Sequence, residues 1–304
     1  MDHPQVTLRP NRRTGAAYRP AHRRLLGRAV VYLVVGVLAC AFFAPFLWTI
    51  ASSLKRVDEI YLFPPTLFPR TLQFDNYPEV FRQVPFGLWF RNSGIITVFS
   101  TLGTILSTTV VAYGFARKRF PGRDVLFLIV LSTMILPGEV TIIPQFILFQ
   151  RLGWVDTFLP LIIPGYLAVG AFYIFLMRQF IMTVPLDFDE AATIDGAGTL
   201  RILWSVLLPL IQPAIITVAI LSFLNNWDDF FTPLIYLNST KNLTVSVGLN
   251  YFNTTAAYAG SDAGKPREQL LMAASLMAAA PVIALFFLAQ RYFIRGIVMS
   301  GIKG

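Results

Sequence analysis

Pro185-Leu186-Asp187-Phe188-Asp189-Glu190-Ala191-Ala192-Thr193-Ile194-Asp195-Gly196-Ala197-Gly198 lies between two long apolar runs, and Leu200 to Leu208 and then Pro209 follow it. It is the longest acid-rich segment of a chain poor in charge. At about 2.5–3.5 kcal/mol for each charged side chain at mid-bilayer, it cannot lie in a membrane. The runs on either side can. Of 304 residues, 55% are hydrophobic and only 13% charged, with a mean hydropathy of +0.62. That is too apolar for a soluble domain of this size, so the chain reads as an integral membrane protein.

The formal net charge of +9 would suit a nucleic-acid partner if the bases lined one polar domain. Instead the arginines bunch at the ends of apolar runs, which is a topology signal and speaks against nucleic acid. The lone Cys40 sits inside an apolar run, and the only histidines, His3 and His22, lie in the N-terminal tail. Disulfides, metal clusters and Cys/His catalysis are therefore not expected.

Working outward, residues 1–28 form a basic tail, and residues 29–54 are free of charge for longer than the ~20 residues a crossing helix needs. Val37-Leu38-Ala39-Cys40 resembles a lipoprotein cleavage site, but cleavage would leave only half a span, so an uncleaved anchor fits better. Residues 55–91 are read as an ordered polar loop. Further spans are expected at about 92–116, 125–143, 157–177, 202–227 and 269–290, giving six within a single transmembrane domain of residues 29–304. Pro137-Gly138-Glu139 and Pro144 interrupt the third run, so its regular part ends near Leu136 and a short broken helix follows at the outer face. The tail, the 117–124 turn, the 178–201 loop and the C-tail carry 16 Lys and Arg against 9 on the other side, which places both termini and the acidic segment in the cytoplasm. Triplets beginning at Asn238, Asn242 and Asn253 match a glycosylation pattern and are read as incidental loop residues.

Catalytic chemistry is hard to find. Gly260-Ser261-Asp262-Ala263-Gly264-Lys265-Pro266 is one residue short of a phosphate-binding loop and lacks its hydroxyl. As acids inside the spans for intramembrane catalysis, Glu139, Asp228 and Asp229 are the only candidates, and all fall near the outer boundary.

Within the acidic segment, Pro185 and three acids predict a helix from about Asp187 to Asp195, because the macrodipole favours negative charge in a first turn. Gly196 suits a left-handed C-cap, and Thr199 is placed to cap the next helix, expected to run straight into the fifth span. Ala191 and Ala192 would leave a flat patch, and Glu190 has no base three or four residues away. A docking surface and an ordinary amphipathic connection both fit these residues.

Glu190-Ala191-Ala192, then Asp195-Gly196-Ala197, with Leu208-Pro209 closing the unit, resembles the EAA loop of permease subunits in bacterial binding-protein-dependent ABC importers. The similarity extends to Asn76-Tyr77, Pro85-Phe86, Asn92-Ser93, Phe120-Pro121-Gly122 and the ending from Gln290-Arg291 to Lys303-Gly304, and it resembles the smaller, six-span subunit of maltose-type systems. The resemblance implies an all-α, MetI-like fold in the bacterial inner membrane, importing a sugar or similar polyhydroxylated solute. It implies that Glu190 to Ala197 form a coupling helix docked in a separate ATPase. The expected partners are two such ATPase subunits, which would hold the ATP and magnesium, a homologous second permease subunit, and an extracytoplasmic sugar-binding protein. This chain would carry no cofactor. The C-tail ending at Gly304 would reach the ATPases, and the last outer loop would meet the binding protein.

The chain departs from the family where Asn226-Trp227-Asp228-Asp229 follows the fifth span. Asn226, Trp227 and Asp228 are candidate residues of the substrate path; membrane-interface anchoring of Trp227 is the plainer alternative. A stand-alone channel or ion-driven transporter would need ionisable groups within the spans, and a membrane-anchored sensor would not need a glycine-jointed helix pair.

Overall fold

The computed structural model describes residues 21–258 and 267–300, and within them every regular element is helical. The greater part of the N-terminal tail, the Gly260–Pro266 segment and the last four residues of the C-tail lie outside the described residues. The chain divides into two units, Met1–Thr49 and Ile50–Gly304. The first is the apolar part of one helix, α1 (Ala21–Ser53), whose side chains such as Leu33 and Phe42 are exposed as a lipid-facing surface requires.

The second unit continues with α2 (Val57–Ile60), α3 (Asn76–Gln83), α4 (Phe86–Arg117), α5 (Arg123–Ser132), α6 (Gly138–Arg151), α7 (Leu159–Tyr166), α8 (Ala171–Thr183) and α9 (Asp187–Ile194). A short α10 (Thr199–Arg201), a π-helical turn (Ile202–Leu207) and α11 (Leu208–Leu210) lead to α12 (Gln212–Asp228). Then come α13 (Phe231–Tyr236), α14 (Val245–Tyr258) and α15 (Glu268–Ser300). Four stretches are long and apolar enough to cross a bilayer alone, and two bent pairs raise the number to six among the described residues.

Those bends revise the spans drawn from charge-free runs. The run at 125–143 breaks at Leu136, extended before Pro137, and the chain turns through 101° into α6, whose 14 residues exceed the short helix expected. The run at 202–227 is not straight either, for Thr199–Leu210 meets Gln212–Asp228 at 81°. Pro209 and Pro213 lack the N–H groups that would carry a helical ladder across Ile211. Residues 157–177 become Leu159–Thr183 with an irregular joint between α7 and α8, and the 92–116 run starts earlier, at Phe86. Absence of charge marks what lipid tolerates. It does not mark where a helix axis turns.

Helix α4 is the hub. It turns Thr97, Ser100, Thr104 and Thr108 inward, all buried, and small side chains allow close approach between helices. A Cβ on Gly165 of α7 would lie 2.7 Å from the Ser100 carbonyl oxygen, so only glycine fits that crossing. One apolar core gathers Trp89, Phe149, Tyr236 and Phe252; a second gathers Ile174, Met177, Leu203, Leu207 and Val218 and includes Ala192 of α9. The acidic segment is thus seated on its own core.

Candidate functional site: the acidic helix and a polar cavity

Helix α9 begins with Asp187, Asp189 and Glu190 in its first turn and closes in a Schellman arrangement. The Gly196 N–H donates to the Thr193 carbonyl at 3.0 Å and the Ala197 N–H to the Ala192 carbonyl at 2.9 Å, with Gly196 at φ +78°. A side chain there would meet left-handed strain, which is why glycine ends this helix. Thr199 does not cap the following helix. The N-cap is Gly198, and the Thr199 hydroxyl instead accepts a hydrogen bond from Lys118 Nζ at 3.0 Å.

Three side chains at the end of α4 fasten the segment. Arg117 Nε lies 2.7 Å from Asp189 Oδ2, both side chains being largely buried, and Arg117 Nη2 donates to the Val184 carbonyl at 2.7 Å. The Nε–H does not point along the Nε–Oδ2 line, so the contact is an ion pair without a hydrogen bond. The Tyr113 hydroxyl reaches the Thr199 carbonyl at 3.5 Å. Asp189 therefore does more than start a helix. Its partner lies 72 residues away in sequence, so helix periodicity within the segment gave no sign of it.

The exposed face also differs from the flat Ala191-Ala192 patch. Ala192 points inward into the second core, whereas Ala191, Glu190 and Asp195 are exposed, along with Phe188 and an Ile194 that is 87% accessible. Gly196 is exposed, Ala197 is half-buried, and Leu208 and Pro209 lie in α11 just before the 81° bend. An apolar, acid-edged ridge on a braced helix is a surface suited to another protein.

A cavity of about 460 Å³ opens among α4, α6, α7, α12 and α13. Asn226 lines it, with its Oδ1 accepting from the Ser100 hydroxyl at 3.0 Å and its Nδ2 donating to the Ser222 carbonyl at 2.7 Å. Trp227 does not line it. Its indole N–H donates to the Ala278 carbonyl at 3.0 Å and its ring stacks on Phe223 at 5.8 Å, so Trp227 ties α12 to α15. Asp228 is exposed, and Asp229 lines the cavity in its place, one oxygen accepting the Thr232 N–H at 3.1 Å. Consecutive helical residues point about 100° apart, so Asn226, Trp227 and Asp228 cannot share one wall. Among the described residues, no group of His, Cys, Asp and Glu could hold a metal ion.

Residues 100–299 match the family model described as the binding-protein-dependent transport system inner membrane component. The chain is 33% identical over 277 residues to the arabinooligosaccharides transport system permease protein AraQ of Halalkalibacterium halodurans, covering 90% of this chain and 96% of that one. It is 32% identical to the melibiose/raffinose/stachyose import permease protein MelC of Bacillus subtilis, covering 90% and 96%. Its fold is similar to a chain in the crystal structure of a bacterial ABC transporter involved in the import of the acidic polysaccharide alginate, with TM-score 0.81 and 26% identity, covering 91% of this chain and 99% of that one. With six candidate spans, a braced acidic helix and these likenesses together, the chain belongs to the inner-membrane permease components of binding-protein-dependent ABC importers.

Proposed function

We propose that this permease subunit imports a saccharide or similarly polyhydroxylated solute, with α9 as the lever that couples it to ATP hydrolysis on separate subunits. The reading rests on one observation above all: α9 is fixed to its own core through Ala192 and the Arg117–Asp189 pair while Phe188, Ala191 and Ile194 stay exposed. A docking partner that pushes on this ridge moves the end of α4 with it. Glu190, Ala191, Asp195, Gly196 and Ala197 form or edge the contact, Ala192 roots it, and Leu208 and Pro209 carry the displacement toward α12. Two ATPase subunits would supply ATP and magnesium, and a homologous second permease would complete the passage. The family description already implies a binding protein, and we assign it to the outer side, near the last outer loop. Both termini and α9 would face the cytoplasm.

The test is to purify the assembled complex and measure ATP hydrolysis with and without binding protein. We expect Glu190→Lys and Gly196→Val each to lower the stimulated rate at least about tenfold; the valine at φ +78° should also cost about 1–2 kcal/mol locally. Stimulation that survives both changes would refute the lever. A chain that never copurifies with an ATPase would refute the assignment itself.

A further inference from the structure

The turn between α4 and α5 holds a charged cleft that the coupling reading leaves unused. A space of about 400 Å³ opens there, lined by Arg119, Phe120, Gly122, Arg123, Asp124 and Val125. Helix α4 ends at Arg117 and α5 starts at Arg123, and both belong to candidate spans, so a connection this short keeps the cleft at the membrane surface.

The bases around this turn do not share one duty. Arg117 holds Asp189 and the Val184 carbonyl, and Lys118 holds the Thr199 hydroxyl. Arg178 lies with its guanidinium carbon 4.2 Å from the centre of the Phe127 ring, and its Nε donates to the Phe115 carbonyl at 3.4 Å. Arg119, by contrast, is exposed and has no hydrogen bond or ion pair with any described residue. Arg123 gives its Nε–H to Asp124 Oδ1 at 2.9 Å, which leaves the donors of its two terminal nitrogens unused among the described residues.

Beside the cleft the surface turns apolar at once. Val125, Leu128 and Ile129 lie three and four residues apart, so they share one face of α5, and all three are more than half exposed. On a membrane span such a face meets acyl chains. Arginines at the head of it are placed to take phosphate oxygens in charge-assisted hydrogen bonds while the chains lie along the helix.

Charge narrows the headgroup. Two arginines and one aspartate line the cleft, a surplus of one positive charge. A lone phosphodiester matches that surplus, whereas choline and ethanolamine headgroups cancel their phosphate with a cation of their own and leave it unmatched. The second oxygen of Asp124 can accept from headgroup hydroxyls.

We infer that this cleft is a binding site for an anionic phospholipid with a hydroxyl-bearing headgroup, as in phosphatidylglycerol. In the orientation proposed above the lipid would come from the inner leaflet, yet the site needs only that α4 and α5 cross the bilayer.

The test uses the full chain purified in detergent with the subunits that accompany it, and follows lipid titrations by native mass spectrometry. Dioleoyl phosphatidylglycerol, phosphatidylethanolamine and phosphatidylcholine share their chains and differ only in headgroup; glycerol 1-phosphate supplies the headgroup alone. We expect phosphatidylglycerol to bind at least about tenfold more tightly than the other two lipids, and about a hundredfold excess of glycerol 1-phosphate not to displace it. Arg119→Gln, at a side chain that no described residue uses, should weaken phosphatidylglycerol about three- to tenfold without shifting thermal unfolding. Adding Arg123→Gln should abolish the preference. Arg151→Gln removes the same charge at the end of α6, away from the cleft, and should leave the preference as it was. Equal affinity for the three lipids, a preference that survives the double change, a loss in Arg151→Gln as large as in Arg119→Gln, or displacement by glycerol 1-phosphate would each overturn the site. Copurification with an ATPase bears on the import reading alone, so either can fail without the other.

Discussion

Several polar side chains here serve the backbone of a remote segment. Asn92 Nδ2 donates to the carbonyls of Lys241 and Leu243 at 2.8 and 3.0 Å, and the Ser93 hydroxyl accepts the Val245 N–H at 2.8 Å. Asn76 Nδ2 donates to the carbonyls of Ser53 and Lys55 at 2.8 and 3.0 Å. Asn242, in one of the glycosylation-like triplets, donates to the Asp156 carbonyl at 2.7 Å. The most heavily used is Asp156, whose carboxylate accepts the N–H groups of Asn238 and Ser239 at 3.0 and 2.9 Å and the Ser239 hydroxyl. Burial pushes its carboxyl up, but the hydrogen bonds from Ser239 and Asn238 outweigh that and hold it at about 2. A depressed carboxyl stabilises the fold fully above its unfolded value near 3.9 and loses that contribution as pH falls through about 2. Asp156→Asn should therefore cost about 1–2 kcal/mol at neutral pH, seen as roughly tenfold faster amide exchange at Asn238 and Ser239. The difference should be flat from about pH 5 to 8 and fade toward pH 2; a difference that changed between pH 5 and 8 would exclude the carboxylate as its source.

At the scale of elements, the pair joining α4 to α9 carries the most consequence. Arg117 and Asp189 are 6% and 17% exposed, and stripping one partner from a buried pair leaves an uncompensated charge. We expect Arg117→Met to destabilise the purified chain by about 3 kcal/mol, and the double change Arg117→Met with Asp189→Leu to recover most of that. Thermal unfolding of the four chains in one double-mutant cycle measures it, and strict additivity would mean that the two side chains do not act as a pair. This element also shows what sequence reveals. The limits of α9 were readable because Pro185, the first-turn acids and Gly196 are local signals. Ala192 turning inward, the Arg117 partner and the Thr199–Lys118 contact were not, since each depends on which neighbour packs against the segment. The bend at Pro137 is an intermediate case, for prolines announced a break but its 101° angle is set by packing, whereas the 81° bend at Ile211 went unexpected although Pro209 and Pro213 flank it. Helix α14 was missed inside an Asn- and Thr-rich loop because such residues lower helix propensity, and tertiary contacts with α4 and α15 override it.

For the whole molecule, the charge distribution makes a claim about direction that packing alone does not. The side holding α9 carries 16 Lys and Arg against 9 on the other, and four of them, Arg117, Lys118, Arg119 and Arg123, sit in one short turn, where the positive-inside bias acts most strongly. Arg117 and Lys118 are also the residues that grip α9 and Thr199, so the charges that would orient the chain and the charges that brace the proposed lever are in part the same. Reversing the topology would put the lever on the side without ATP. Cys40 is the only cysteine, so Cys40→Ser gives a chain free of thiols for labelling. Single cysteines at exposed positions, Asn238→Cys beyond α13 and Phe120→Cys in the α4–α5 turn, then report the two faces. With a membrane-impermeant maleimide on intact spheroplasts, Asn238→Cys should react at once and Phe120→Cys only after permeabilisation. The opposite pattern would invert the orientation and detach α9 from any cytoplasmic ATPase, whereas labelling of both sites in intact spheroplasts would rule out the odd number of spans, three, expected between them.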